Sequence, residues 1–282
     1  MCWSAHASAR WCSLAIVVAL VAACAGPQRQ SDTAADQAPA QAELRERAQA
    51  LIEQGEPLAA VRVYRRLAER ADAGERLDYQ LRITELLFNT DYTELALAWH
   101  RRLEGQRVPA AHITLKRLVD ARAAVARRQG VRALRHLPVI TSDTPDDVRA
   151  RILAIRADAH AVTGEPVRAL EARLTRAPYL ATPAAREANN EAIWTLLQSI
   201  PADRLETLIG DTRADPRLRG WAALARAVRR ARLGERSVKR ALADWRDQYS
   251  DHSALAFSRT LENRVLEAFE YPDRIALLLP LS

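Results

Sequence analysis

Apolar residues recur every three or four positions through most of the chain, the spacing of one face of an α-helix. The first such stripe contains Leu44, Ala48, Leu51 and Ile52. A turn at Gly55-Glu56-Pro57 separates it from a second stripe, which contains Ala60, Tyr64 and Leu67. Together they predict a helix-turn-helix pair of about 34 residues, the repeat length of tetratricopeptide proteins.

The pair recurs in weaker form further along the chain. Turn residues interrupt later stripes at Asn89 to Asp91 and at Gly130, and Gly164-Glu165-Pro166 repeats the first turn. Because each pair can bury its stripe only against its neighbours, stacked pairs form a solenoid. We therefore expect residues 42–272 to form a tetratricopeptide-like helical domain.

Several helix starts carry their own signals. Thr144, Pro145 and two aspartates stand in series, which predicts an N-terminus with Thr144 as the N-cap and Pro145 as the first helical residue. The acids then face the positive end of the helix dipole. Three further helices are predicted to open at Pro183, Pro201 and Pro216.

The pattern changes after Tyr271-Pro272. Ile275 to Leu279 is a short continuous apolar run bounded by turn residues, typical of a strand buried on both faces. One such strand needs a sheet around it, so we expect residues 273–282 to begin a truncated α/β domain. The predicted fold class is all-α, a tetratricopeptide-like solenoid followed by the first strand of that domain.

The N-terminus has the zones of a bacterial lipoprotein signal. Arg10 precedes an apolar run from Leu14 to Ala23, about half of the ~20 residues that a membrane-spanning helix needs. Val21-Ala22-Ala23-Cys24 is typical of a lipobox, so residues 1–23 are predicted to be cleaved and Cys24 to carry lipid. Several acyl chains make such an anchor stable. Residues 24–41 lack large apolar side chains and are expected to be a flexible tether.

Composition excludes other classes of protein. The net charge is +7, but the arginines are scattered beside acids without aromatic interleaving, so no nucleic-acid partner is predicted. Once Cys2 and Cys12 leave with the signal, the lipidated Cys24 is the single cysteine, and no disulfide can form.

No catalytic or metal-binding pattern is present in the sequence. The mature histidines form no metal spacing, and each is expected to be a half-buried or surface residue of a helix; they are His100, His112, His136, His160 and His252. Asp143, Asp146 and Asp147 are explained by helix capping, and the three aromatics Trp194, Trp221 and Trp245 are predicted core residues. We expect no enzyme activity, no cofactor, no metal and no small-molecule ligand.

Three segments resemble the penicillin-binding protein activators of the LpoA/LppC type. Asn189 to Leu197 (NNEAIWTLL) is similar to the family's N-x-x-x-I-W-x-x-L helix, and Leu242 to His252 (LADWRDQYSDH) to its L-x-x-W-x-x-x-Y-x-x-H segment. Ile275 to Ser282 (IALLLPLS) resembles the first strand of its C-terminal domain. The likeness runs in order from the lipobox to this strand.

The resemblance implies an outer-membrane lipoprotein that faces the periplasm. In this family an N-terminal tetratricopeptide-like domain precedes a domain shaped like a periplasmic binding protein, which docks on a class A, bifunctional penicillin-binding protein. The implied function is to bind and activate that peptidoglycan synthase. We expect this chain to differ from the family pattern in its C-terminal domain, of which it retains only the first strand.

Two other functions fit parts of the pattern. A tetratricopeptide scaffold lipoprotein of outer-membrane β-barrel assembly shares the anchor and the repeats, but it would end in helix. A lytic transglycosylase places a helical solenoid before a catalytic domain, which would be helical and would carry an acidic residue. The strand predicted at Ile275 to Leu279 favours neither.

Overall fold

The structure, a computed structural model, describes residues 28–90, 92–235 and 237–267. In these ranges all regular structure is helical, without any strand. The α-helices, in chain order, are α1 (Gln28–Glu53), α2 (Pro57–Arg70), α3 (Ala73–Phe88), α4 (Thr93–Leu103), α5 (Ile113–Ala126), α6 (Gly130–His136), α7 (Asp146–Val162), α8 (Pro166–Arg176), α9 (Pro183–Ser199), α10 (Ala202–Gly210), α11 (Pro216–Arg232), α12 (Val238–Gln248) and α13 (Leu255–Glu267). None of them is long and apolar enough to cross a membrane. The all-helical expectation is confirmed for this part of the chain.

The chain divides into two compact units, residues 1–86 and 87–282. In the first unit, Ala48 of α1 and Ala60 and Leu67 of α2 are fully buried, as their stripes predicted. The rings of Tyr64 and Tyr79 stack with their centroids 6.0 Å apart. The α1–α2 pair and the first part of α3 therefore share one core.

An exposed polar cluster joins α1 to α3 in this first unit. The Arg45 Nε donates to the hydroxyl of Tyr79 at 2.6 Å, and its Nη2 donates to the carboxylate of Glu75 at 2.7 Å. The hydrogen bond to Tyr79 is the main cause of a raised pKa at Arg45. Because both partners of the ion pair are about two-fifths exposed, solvent screens it and it contributes little to stability.

The two Gly-Glu-Pro turns have the same geometry. Gly55 and Gly164 both have φ of +77°, the left-handed conformation that a Cβ disfavours. In each turn the following glutamate N–H donates to a carbonyl five residues back, Glu56 to Leu51 at 2.8 Å and Glu165 to His160 at 2.9 Å. This is the Schellman end of a helix, and the proline two residues after the glycine opens the next helix.

The turn between α5 and α6 differs from the expectation based on Gly130. The left-handed residue is Arg128, with φ of +58°, and Gln129 makes the Schellman bond to Ala124. Gly130 is instead the first residue of α6 and lies against α7. A Cβ at Gly130 would be 2.5 Å from the carbonyl oxygen of Ala159, so this glycine serves close packing.

The prediction for the start of α7 was wrong by one residue. Pro145 is the N-cap, and its carbonyl accepts the first helical bond from Arg149 at 2.8 Å. Thr144 lies outside the helix, where its hydroxyl accepts from the N–H of Thr141 at 2.9 Å. The Thr144 hydroxyl is therefore hydrogen-bonded within the loop and does not cap the helix. Asp146 does lie in the first turn, as expected.

Helix α1 begins earlier than expected. It starts at Gln28, whereas composition placed a flexible tether over residues 24–41. Alanine and glutamine, which are frequent in this segment, have high helix propensity, so a lack of large apolar residues does not by itself prevent helix formation. The signal peptide 1–23, Cys24 and the strand at 275–279 lie outside the described residues.

The second unit has its largest core where α8 to α13 pack together. Trp194, Trp221, Trp245 and Phe257 are buried there, which confirms the three tryptophans as core residues. Trp221 and Phe257 have their ring centroids 5.2 Å apart. A smaller core joins α5, α6 and α7 through Leu118, Leu137, Ile152 and Ile155.

Candidate functional site

The lipidation site predicted from the sequence is Cys24, which lies outside the described residues. Its acylation therefore stays a prediction. The remaining candidate sites are buried polar clusters and surface grooves of the second unit.

The histidines lie in different helices and turns of the described chain and form no cluster that could hold a metal ion. In the described ranges no group of three or more His, Cys, Asp or Glu could hold a metal ion. His100 is buried, contrary to the expectation of a half-buried or surface position, with 5% of its surface exposed. Its burial is compatible with helix packing because the ring is hydrogen-bonded.

His100 belongs to a polar cluster between α4 and α5. Its Nε2 lies 2.8 Å from the Asp120 carboxylate, which also accepts from the Nζ of Lys116 at 2.6 Å. Burial alone would raise the pKa of Asp120, but the hydrogen bonds from His100 and Lys116 hold it below its ordinary value. The cluster ties two helices together.

A second polar cluster joins α5, α7 and α8. The Asp158 carboxylate accepts from Arg122 through one oxygen and from Arg173 through the other. These groups are about a quarter exposed or less, so the ion pairs are only partly screened. One carboxylate on the middle helix holds the two flanking helices.

The two family-like segments of the described chain meet in the α8–α13 core. In the first, the Asn189 amide donates to the carbonyl of Arg173 at 3.1 Å and accepts from Arg176 at 3.1 Å. In the second, the Trp245 indole donates to the carbonyl of Gly220 at 3.0 Å. The characteristic Asn and Trp of these segments are therefore packing residues that also satisfy buried backbone groups.

His252, the last residue of the second segment, connects α11 with the turn between α12 and α13. Its Nε2 donates to the carbonyl of Arg217 at 2.9 Å, and its Nδ1 accepts from the N–H of Ala254 at 3.1 Å. This pair of bonds requires the neutral ring. Burial lowers the pKa of His252, against the opposing effects of the Arg217 carbonyl and the Asp215 carboxylate.

A groove of about 610 Å³ lies beside His252. Its walls come from the end of α10, the start of α11 and the α12–α13 turn, and its polar lining residues are Arg217, Arg219, Gln248, Tyr249, Ser250, Asp251, His252 and Ser253. Such a volume lies in the range of ligand-binding clefts. The groove has no nucleophile–base pair, so the arrangement suits binding rather than catalysis.

A smaller groove of about 330 Å³ runs between α11 and α12. Its floor includes Ala227 and Ala231, and charged residues line its edges. Arg226 pairs with Glu206 at 2.8 Å and Arg230 with Glu235 at 3.2 Å. Because these arginines already have partners, this groove offers less unpaired charge than the larger one.

The grooves were not predicted from the sequence. One local signal was available, since Gly220 stands inside a strong helical pattern, where a glycine costs about 1 kcal/mol relative to alanine and indicates close packing. Arg219 carried no signal, because it is one of many arginines on helix faces.

The fold is that of an α-helical protein built from packed helix pairs. The family model described as "LppC putative lipoprotein" matches residues 54–282. The chain therefore belongs to the LppC lipoprotein family, which confirms the resemblance drawn from its motifs.

Relatives of known name point the same way. The penicillin-binding protein activator LpoA of Glaesserella parasuis is 28% identical over 136 residues, 48% of this chain and 23% of that protein. That of Edwardsiella ictaluri is 25% identical over 233 residues, 81% of this chain and 33% of that protein. The chain thus spans about a quarter to a third of the length of these relatives.

A solved structure matches the fold. The LpoA N-terminal domain from Haemophilus influenzae superposes with a TM-score of 0.64 over 76% of this chain and 94% of that domain, at 18% identity. At this level of identity the match defines the fold alone. The matched part of the chain has the helical architecture of that N-terminal domain.

Proposed function

We propose that this protein is a non-catalytic envelope lipoprotein that regulates peptidoglycan synthesis by binding and activating a class A penicillin-binding protein. The observation that carries the proposal is membership of the LppC family together with curated relatives named penicillin-binding protein activators. It also favours this function over β-barrel assembly and over a lytic transglycosylase.

Lipid on Cys24 would hold the protein at the outer membrane, facing the periplasm. The support is the lipobox at Val21 to Cys24 and the lipoprotein character of the family. Mass spectrometry of the mature N-terminus should find an acylated Cys24, and Cys24→Ser should release a folded protein from the membrane. An unmodified cysteine or cleavage elsewhere would contradict the anchor.

The helical domain would provide reach and orientation rather than the main contact with the synthase. Specific interfaces are usually held by aromatic or arginine anchors. Here Trp194, Trp221 and Trp245 are buried in the core. We propose that the principal contact belongs to the binding-protein-like domain expected to begin at residues 273–282.

Partner identity can be tested on the native protein in its envelope. After chemical cross-linking, the protein is isolated and its partners are labelled with a fluorescent penicillin. A labelled class A enzyme, in excess over class B enzymes, is the expected result. Co-isolation of β-barrel assembly proteins without any penicillin-labelled enzyme would support the scaffold alternative instead.

A reconstituted assay can test which domain makes the principal contact with the synthase. Purified class A synthase is assayed for cross-linked product with residues 42–272 or with a full-length relative. We expect the relative to stimulate cross-linking and the helical domain alone to leave it near the basal level. Full stimulation by residues 42–272 would assign the contact to the helical domain.

A further inference from the structure

Arg219 lines the larger groove and differs from other partly buried arginines of the second unit in the partners of its side chain. Its Nε is buried without a hydrogen-bond partner. The Nε atoms of Arg149 and Arg173 are also unbonded, but the terminal nitrogens of those residues bind Thr141 and Asp158. The side chain of Arg219 makes no hydrogen bond or ion pair in the described part of the chain, although its backbone N–H donates to the Asp215 carbonyl at 3.0 Å. An arginine that lines a groove without a protein partner can pair with a ligand through the terminal nitrogens of its guanidinium.

The other ionisable groups of the groove are already engaged or carry the opposite charge. Arg217 binds the Asp215 carboxylate at 2.7 Å and the Leu174 carbonyl at 3.2 Å. His252 uses both ring nitrogens, to Arg217 and Ala254. Asp251 is exposed and lines the groove, and it has no ion pair with any residue of the described ranges. One available guanidinium therefore supplies the positive charge, with one carboxylate nearby.

The remaining lining is suited to a polar chain. Tyr249, Ser250 and Ser253 contribute hydroxyl groups that bond to no other group in the described ranges, and Gln248 contributes an amide. The Tyr249 ring is held by stacking on Trp245, with centroids 5.4 Å apart. Hydroxyl and amide groups can pair with peptide N–H and C=O groups, while an arginine fork matches a carboxylate.

We propose that this groove binds a short acidic peptide, with Arg219 pairing to its carboxylate. A single carboxylate matches the single available guanidinium, whereas a phosphate group with about two negative charges would be repelled more strongly by Asp251 than a carboxylate is. Stem peptides of the cell wall and acidic segments of proteins share this chemistry. The proposal is independent of docking on a synthase.

The test measures binding by titration calorimetry to the full-length chain carrying Cys24→Ser. The probes are acetyl-Ala-Glu-Ala-amide, its Ala-Gln-Ala counterpart, a soluble disaccharide peptide released from peptidoglycan, and inorganic phosphate. We expect saturable binding of one or both carboxylate probes. The glutamine peptide should bind at least about tenfold more weakly than a carboxylate probe that binds. The tighter of the two carboxylate probes identifies the source of the natural ligand.

Three variants locate the site. Arg219→Gln should weaken binding about tenfold or more, and Asp251→Asn should strengthen it. Arg232→Gln is the matched control, because Arg232 is exposed on the same helix outside the groove. Equal affinity in the Arg219 and Arg232 variants, or no binding of either carboxylate probe, would overturn the proposal. Tighter binding of phosphate than of both carboxylate probes would also overturn it. Weaker carboxylate binding by the Asp251→Asn variant than by the parent protein would do the same.

Discussion

The imidazole ring of His252 lies directly against the backbone of Gly220. A Cβ added at Gly220 would be 2.5 Å from two atoms of the ring, closer than real contacts allow. The ring cannot move aside freely, because it is hydrogen-bonded on both nitrogens to Arg217 and Ala254. The absence of a side chain at Gly220 is therefore what lets the α12–α13 turn close onto α11.

Gly220→Ala should lower the free energy of unfolding by about 1–3 kcal/mol, the usual cost of overpacking. Alanine is the better helix former, so propensity alone predicts the opposite sign. Urea unfolding measures the difference. Gly210→Ala is the control, because no atom lies within 4 Å of its Cβ position. Stabilisation by Gly220→Ala would show that His252 does not hold its place in solution.

The free energy of unfolding should fall as the pH drops below 6.5, the ordinary pKa of the His252 side chain. The folded pKa is lowered, mainly by burial, so the unfolded chain takes up a proton that the folded chain resists. The stabilising contribution is complete above that value and is lost as the pH falls toward the folded pKa. Protonation of Nδ1 would also remove the acceptor for Ala254 and place a positive charge near Arg217.

The measurement is the free energy of unfolding between about pH 7.5 and about pH 5. His252→Gln should reduce the slope over this interval. The pKa of His136 is also lowered by burial, so it contributes a slope of the same sign that remains in the variant. Identical slopes in the variant and the parent protein would contradict the prediction.

Asp158→Asn should destabilise the second unit by about 1–3 kcal/mol. The substitution removes the negative charge between Arg122 and Arg173, leaving two guanidinium groups in mutual repulsion. Chemical denaturation measures the effect. Glu206→Gln, which removes a more exposed pair with Arg226, should change stability by less than about 1 kcal/mol. Equal effects of the two substitutions would mean that the Asp158 cluster is fully screened.

Arg128→Gly should raise the free energy of unfolding by about 0.5–1 kcal/mol. Its φ of +58° is unfavourable for a residue with a Cβ. Glycine removes this backbone strain, and the gain exceeds the cost of the greater conformational entropy that glycine gives the unfolded chain. The reverse substitution, Gly164→Ala, places a Cβ in open space at φ of +77° and should cost about 1 kcal/mol through the backbone alone. Thermal unfolding of both variants would reveal opposite shifts, and shifts of the same sign would contradict the argument.

Local pattern was sufficient for the helices and for several of their turns. The stripes through Ala48 and Leu67 and the two Gly-Glu-Pro turns predicted helix pairs, because the helical period and a left-handed glycine depend on a few neighbouring residues. The same locality explains why the tryptophans at helical spacing were correctly placed in the core.

Local pattern failed where a residue had two possible roles. Thr144 has the side chain of an N-cap, yet Thr141 occupies its hydroxyl. Gly130 resembles a turn glycine, yet its small size serves contact with Ala159 of another helix. In each case the competing partner was in a loop or helix whose position the sequence pattern does not give.

By itself the sequence determined the class of the protein: repeated helix pairs, a predicted lipid anchor and the family motifs. The groove was decided only by tertiary structure, because Arg219 acquires its significance from residues about 30 positions away, at 248–253. Helical periodicity arises from interactions within one turn and can be read along the chain. Whether an arginine is solvated, paired or left without a partner depends on which distant groups the packing brings to it.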